Sequence, residues 1–294
     1  MPNVVGIVSP GAMGSALGAR LRDGGARVVV ALEGRSERTW GLAAATGLED
    51  SGSLAALLHE ASIVLSVVPP EAALDAARSL EHESGDARPL VVELNAVSPA
   101  TTRHVATTLG SAGVDTVDGS ISGPPPRGPG TTRIYLSGPR AAEVAALPFE
   151  GVERVVVSDV VGDASAVKMC TASVYKGRIA VLAQAFRTAR AHGVVDHVLE
   201  DLVAAGLVDA DRTGATLGIA SAKAWRYVAE MQEIAETQAA AGLTPDLFRA
   251  MAGVYADLAV RAVAETPEDV PDRLQLADVR ARFSEEGAGR PGAT

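Results

Sequence analysis

The chain has 294 residues, with 26 Lys and Arg against 36 Asp and Glu for a formal charge of −10, and it is 47% hydrophobic but 3% aromatic. An acidic balance repels polyanions at long range, which excludes a general nucleic-acid or anionic-membrane binder and leaves small molecules or a second copy of the chain as expected partners. A lone cysteine, Cys170, excludes an intramolecular disulfide or a Cys-rich zinc framework and suits a reducing compartment.

The start of the chain runs into an apolar strand pattern with no basic segment and long apolar core before it. No apolar stretch reaches the roughly 20 residues of a membrane helix, so a cytoplasmic protein is expected. Apolar runs at residues 4–8, 28–32, 63–68, 90–94, 134–136 and 155–157 alternate with Ala- and Leu-rich helical patterns. Continuous runs of this length suit strands covered on both faces, with the helices as crossovers, which predicts a doubly wound α/β domain over residues 1–160. Strand signals stop near Gly162. Residues 163–192 hold no proline and Gly193 can end the pattern, giving a helix of about 45 Å at about 1.5 Å per residue. This long helix predicts the spine of an all-α domain over residues 161–284. A later helix is predicted over residues 221–241, closed by Gly242 and Pro245, with Trp225, Val228, Met231 and Ala235 as core. Residues 285–294, with Gly287, Gly289, Pro291 and Gly292, predict a flexible tail.

The most specific signal is the turn Ser9-Pro10-Gly11-Ala12-Met13-Gly14 between the first strand and first helix. A glycine-rich strand-to-helix turn lets backbone N–H groups and the helix N-terminus face a pyrophosphate. Ser9 stands where the first glycine of G-x-G-x-x-G is expected, while Gly11 and Gly14 keep the close approach and tight packing. After the second strand two cofactor readings compete. Glu33, 19 residues beyond Gly14, suits the ribose 2′-hydroxyl of NAD. Arg35, Ser36 and Arg38 suit the 2′-phosphate of NADP, and two cations with a hydroxyl favour NADP.

Together with later segments, these residues resemble the β-hydroxyacid dehydrogenase superfamily, which includes 3-hydroxyisobutyrate dehydrogenase, 6-phosphogluconate dehydrogenase and the imine reductases. The glycine-rich turn resembles the family's G-L-G-x-M-G, and Val64 through Val68-Pro69-Pro70 resembles its V-P strand beside the nicotinamide. Glu93-Leu94-Asn95-Ala96-Val97-Ser98-Pro99 is similar to the family's cofactor-lining D-x-(S/N)-(T/A)-x-x-P segment. Asp118-Gly119-Ser120-Ile121-Ser122-Gly123 resembles the D-A-P-V-S-G substrate loop, and Gly162 to Lys168 the start of the long helix. The stretch Lys223-Ala224-Trp225-Arg226-Tyr227, continuing through Ala235, is similar to a phosphogluconate-dehydrogenase-like branch with its own short C-terminal domain. The resemblance implies a Rossmann-like domain joined by a long interdomain helix to an all-α domain, a homodimer, and a nicotinamide in the cleft between domains near Val68, Pro69 and Asn95.

It also implies that Lys168 is the general acid/base. A lysine lowered in pKa by burial serves that chemistry near neutral pH. Positions 168, 171, 172 and 175 share one helix face. Ala172 replaces the Asn that the family places four residues after the lysine, leaving Thr171 or Ser173 as weak substitutes and Tyr175 as a second candidate acid. Lys176, about 100° further round, is expected to be structural or a phosphate contact. Ser122 and Gly123 are the expected substrate contacts, but Pro124 replaces the second glycine of S-G-G and removes a backbone donor. Arg127 and Arg133 are candidate replacements for anion binding. Cys170 is expected as a buried apolar residue and Arg226 with Glu230 as a surface pair. His59, His82, His104, His192 and His197 show no metal-clamping spacing, so no metal is expected. The expected activity is NADPH-dependent hydride transfer with a small hydroxy or oxo compound. Imine reduction is the alternative, and a non-catalytic NADP-binding sensor the rival from another class.

Overall fold

The structure, a computed structural model, describes residues 4–126, 128–262, 264 and 269–271. In chain order its elements are β1 (Val4–Val8), α1 (Ala12–Asp23), β2 (Arg27–Val30), α2 (Glu37–Ala45), β3 (Glu49–Asp50), α3 (Leu54–Glu60), β4 (Ile63–Ser66), a 3-10 turn (Pro70–Ala72), α4 (Ala73–Ser84), β5 (Leu90–Glu93), α5 (Pro99–Ser111), β6 (Thr116–Ser122), β7 (Arg133–Ser137), α6 (Ala141–Ala145), β8 (Glu153–Ser158), α7 (Asp163–Ala191), α8 (Val195–Ala204), α9 (Thr213–Ala240) and α10 (Asp246–Ala259). Two compact units meet within α7, the first ending at Cys170 and the second starting at Thr171.

In the first unit the eight strands form one sheet in the order β3-β2-β1-β4-β5-β6-β7-β8. All neighbours are parallel except β6 and β7. The sheet is buried on both faces because alternate residues feed two apolar clusters. Ile7, Leu65 and Val92 enter one cluster, while Val8, Val64 and Val91 enter the other. The strand order reverses at β1, which has β2 on one side and β4 on the other. The carboxyl ends of β1 and β4, paired at Val8 and Ser66, therefore flank the switch point where doubly wound sheets bind ligands.

Two strands depart from the sequence expectation. β3 is a two-residue edge strand of Glu49 and Asp50, too short and polar to read. β6 covers most of the segment expected as a substrate loop: Asp118 to Ser122 are strand residues, and only Gly123 onward is loop. At the far edge, β8 exposes Val156 and Val157 at 48% and 39%.

In the second unit α9 begins at Thr213, eight residues before the predicted start, because Thr213, Gly214, Ala215, Leu217, Gly218 and Ala220 are buried. Of the residues expected in the core, Met231 and Ala235 are buried and Val228 is half-buried, but Trp225 is exposed. Ala224 takes the inward position, and one residue further rotates about 100° away from it. Glu230 is also inside, with 4% of its side chain exposed, and it pairs with Lys176 on α7 instead of forming a surface pair with Arg226. The Lys176 amine lies 4.5 Å from the ring centroid of Tyr227. Tyr227 packs edge-on against Tyr255 at 5.1 Å, and the Tyr255 hydroxyl donates to the Lys176 carbonyl at 2.7 Å. Burial pushes both phenols above the ordinary tyrosine pKa.

Candidate active site

The β1–α1 turn is held open by small residues. Ser9 has φ of 64°, the only non-glycine among the described residues in the left-handed region, so it occupies the expected glycine's conformation at a cost of about 1–2 kcal/mol. A Cβ at Gly14 would lie 3.0 Å from the Ser9 carbonyl oxygen, and one at Gly18 would lie 2.9 Å from Ile7 Cδ1. These two glycines let α1 sit tightly on β1. A Cβ at Gly11 would meet nothing within 4 Å and would project into open space at the start of α1. That helix has no side-chain cap and no acidic residue in its first turn. The local frame is fixed by Gly11 N donating to Ser9 O at 2.7 Å and Ser15 Oγ donating to Pro10 O at 2.6 Å. A helix N-terminus with unclaimed amides and an uncovered glycine fits a phosphate group. Pro10, Ala12 and Met13 are half-buried or buried around it.

Beyond β2, Glu33, Arg35, Ser36 and Arg38 are all exposed. Ser36 caps α2, its Oγ accepting from Thr39 N at 3.3 Å, so that hydroxyl is partly committed. The two arginines are the cations that the segment presents.

At the ends of β4 and β5, Asn95 is 3% exposed and works as a brace. Its Oδ1 accepts from Val68 N at 2.6 Å and its Nδ2 donates to Ser66 Oγ at 3.3 Å. This fixes Val68 and Pro69, both half-buried, at the switch point. Glu93, the first residue of the segment similar to the family's cofactor-lining stretch, lies beneath. It is 1% exposed, and its Oε1 accepts from Asn95 N at 3.2 Å. Burial pushes its carboxyl up to about 8; hydrogen bonds from Asn95 and Ser66 oppose the rise and the nearby Asp118 charge adds to it. The folded state therefore holds this proton where the unfolded chain, at about 4.5, has released it. Stability is expected to be full below about 4.5 and to fall as pH rises toward 8, by about 1.4 kcal/mol per pH unit at most. Glu93→Gln should flatten that slope. Urea unfolding of both chains from pH 5 to 9 checks it, parallel curves contradicting the assignment.

Lys168, half-buried near the start of α7, donates from Nζ to the carbonyl oxygen of Ile121 at 2.7 Å. Ile121 immediately precedes Ser122, half-buried, and Gly123, whose φ is 112°. A Cβ at Gly123 would lie 2.2 Å from the Thr131 carbonyl oxygen, so the turn out of β6 requires glycine. Thr132 Oγ1 donates to the Pro124 carbonyl at 2.6 Å, closing the loop. Arg133 does not offer itself to an anion, because Glu153 accepts from its Nε at 2.7 Å and the Tyr135 hydroxyl lies 3.1 Å from its Nη1. Both raise its pKa. Arg127 lies outside the described residues. Further along α7, Thr171 is half-buried, Ala172 is buried, and the Tyr175 side chain is largely in solvent at 67% exposure. Cys170 is exposed, contrary to expectation: Met169 and Ala172 take the inward positions and leave it on the opposite side. Among the described residues no three His, Cys, Asp or Glu side chains converge on a metal position, and no helix is long and apolar enough to cross a membrane.

Two family models match the chain: the NAD binding domain of 6-phosphogluconate dehydrogenase over residues 4–149, and a domain of unknown function, DUF1932, over residues 189–258. An uncharacterised 28.5 kDa protein of Methanothermus fervidus is 29% identical over 199 residues, covering 67% of this chain and 75% of that protein. Among solved structures, a conserved protein of unknown function, described as structurally similar to 3-hydroxyacid dehydrogenases, is 27% identical with a TM-score of 0.66, covering 96% of this chain and all (100%) of that one. The 3-hydroxyisobutyrate dehydrogenase of Mycobacterium tuberculosis, solved with L-serine, shares the fold at 20% identity and a TM-score of 0.67, covering 97% and 100%. The reversed strand order, the uncapped glycine-rich turn and these matches agree: the chain belongs to the β-hydroxyacid dehydrogenase-like superfamily of NAD(P)-binding oxidoreductases.

Proposed function

We propose that the chain is an NADPH-dependent oxidoreductase that interconverts a small hydroxy compound and its oxo form, with Lys168 as the acid/base. The observation that carries this reading is the Lys168 amine, tied at 2.7 Å to the Ile121 carbonyl and so held beside Ser122 and Gly123 at the end of β6. When bound, the nicotinamide supplies or accepts the hydride. The protein's own part is to bind and to move a proton. The amides at the start of α1, with Gly11 uncovered, take the pyrophosphate; Arg35 and Arg38 take the 2′-phosphate; Val68 and Pro69, braced by Asn95, hold the nicotinamide face. Lys168 Nζ gives a proton to the substrate oxygen as the alkoxide develops, or removes it in the reverse direction. In this reading Ser122 and Thr171 are the hydroxyls that orient the substrate, and Tyr175 is a second donor only if its exposed ring is drawn in. The same reading makes the chain a cytoplasmic homodimer, which light scattering in solution tests.

Imine reduction is the second reading, favoured by two residues. Ala172 offers no side-chain hydrogen bond to a substrate hydroxyl, and Pro124 offers no N–H to a carboxylate. Titration with NADPH and NADH, then an NADPH-oxidation screen over oxo acids, neutral ketones and cyclic imines, separates the readings. Arg35→Ala is expected to weaken NADPH roughly tenfold while leaving NADH unchanged, since only the phosphate loses a charge-assisted bond. Equal losses for both cofactors would assign the 2′ position to Glu33 instead. Cofactor binding with no turnover in any class would reject the enzymatic reading.

A further inference from the structure

Asp118 lies on β6 three residues before Ile121 and is fully buried at 0% exposure. Four donors converge on it. Its Oδ2 accepts from Gly162 N at 2.9 Å, Ser165 N at 3.0 Å and Ser137 Oγ at 2.8 Å, while its Oδ1 accepts from Ser165 Oγ at 2.7 Å. Ser137 Oγ in turn accepts from Ala164 N at 3.0 Å, and Ser120 Oγ donates to the Ala164 carbonyl at 2.8 Å. The amides that open α7 are thus met from the sheet. In α2, α3 and α5 a serine of the helix's own N-cap takes that task. On α7, Ser165 and Lys168 are one turn apart on one face, and they bond to Asp118 through its side chain and to Ile121 through its carbonyl on β6. The helix is fastened to the strand at two points, and the second of them is the Lys168 amine itself.

We propose that Asp118 is a positioning residue for Lys168, fixing the first turns of α7 against β6 so that the amine stands beside Ile121 and Ser122. The inference rests on the reading of Lys168 as the acid/base. Asparagine at 118 keeps the size but has one acceptor oxygen and turns an NH2 toward groups that also donate, so the start of α7 must shift. Displacement of a reacting group by about 1 Å costs about a hundredfold in rate.

The test compares Asp118→Asn in the full chain, alone and combined with Lys168→Ala, with circular dichroism and NADPH binding as controls for folding. The expected result is a kcat lower by roughly 10- to 100-fold, an unchanged NADPH Kd, and no further loss in the Lys168→Ala background, since both changes act through one amine. In a chain labelled with carbon-13 at lysine Cε, the Lys168 signal, assigned by its absence in Lys168→Arg, should move toward the position of a free, fully hydrated lysine. An equal fractional loss of residual turnover in the Lys168→Ala background, or an unmoved Lys168 signal in folded Asp118→Asn, overturns the proposal. If the parent chain turns over no carbonyl or imine compound, the oxidoreductase reading fails and the lysine signal alone decides the role of Asp118. If Asp118→Asn does not fold, Ser137→Ala removes one of the four donors to Asp118 together with the relay to Ala164, and must move the same signal in the same direction; a stationary signal again overturns the proposal.

Discussion

Replacing Lys168 with alanine is expected to lower turnover by about 10²–10⁴, the contribution of a positioned acid/base, while NADPH binding stays within a small factor of the parent. Binding should survive because Gly11, the α1 amides, Arg35 and Arg38, the proposed cofactor contacts, lie outside α7. Lys168→Arg sharpens the result. Arginine can still donate to the Ile121 carbonyl, so the strand–helix contact is conserved, but a guanidinium stays protonated near neutral pH and cannot act as a base. Both variants should be inactive and only alanine should lose the contact. Steady-state rates with isothermal titration of NADPH measure both effects. An arginine variant that retained most of the activity would show that position 168 contributes charge or contact, and proton transfer would have to come from another group.

The second large effect is expected far from that chemistry. Glu230→Ala should destabilise the second unit by about 3–5 kcal/mol, because it leaves the Lys176 ammonium enclosed without its carboxylate. The stacked Tyr227 face offers it only about 1–2 kcal/mol of attraction. Removing both charges tells the pair's net worth from the cost of orphaning one partner. Glu230→Leu with Lys176→Met should recover most of the loss, since apolar residues of similar size often replace a buried ion pair at no cost. Urea midpoints for the single and double variants form the cycle. A single-variant loss below about 1 kcal/mol would place the pair in the class of solvent-screened ion pairs.

The strands of the first unit were legible where they carry uninterrupted apolar runs, as in Val4–Val8 and Leu90–Glu93, because burial on both faces leaves no polar position to confuse the pattern. β6 was not. Asp118, Gly119 and Ser120 are turn formers by composition, and they sit in a central strand because α7 and β7 supply their hydrogen bonds from residues 19 to 47 positions away. The same limit hid the first turns of α9, where Gly214 and Gly218 are weak helix formers held by packing alone. At the candidate site the glycine-rich turn could be read from spacing, and Lys168 was marked by the family resemblance. The segment holding Glu93 and Asn95 was marked by the resemblance, but the hydrogen bonds that make it a brace with Ser66 could not be read, since they join two strands through side chains with no periodic signature. Spacing also misled: Arg226 and Glu230 satisfy the rule for a surface pair, yet a half-buried lysine on another helix takes the carboxylate in place of the exposed arginine.

The two rims of the sheet are guarded unequally. At β3 the rim carries Glu49 and Asp50, and Arg27 beside them donates to Glu49 at 2.8 Å, so an approaching strand meets fixed charge and only two residues of backbone. At β8 the rim is six residues long and shows valines to solvent. Charge and brevity are the usual gatekeepers against strand-to-strand adhesion, and β8 has neither along its central Val155-Val156-Val157 stretch. Self-association of partly melted molecules into extended sheet therefore has a preferred doorway, and it opens on the opposite side of the domain from the β2–β3 rim.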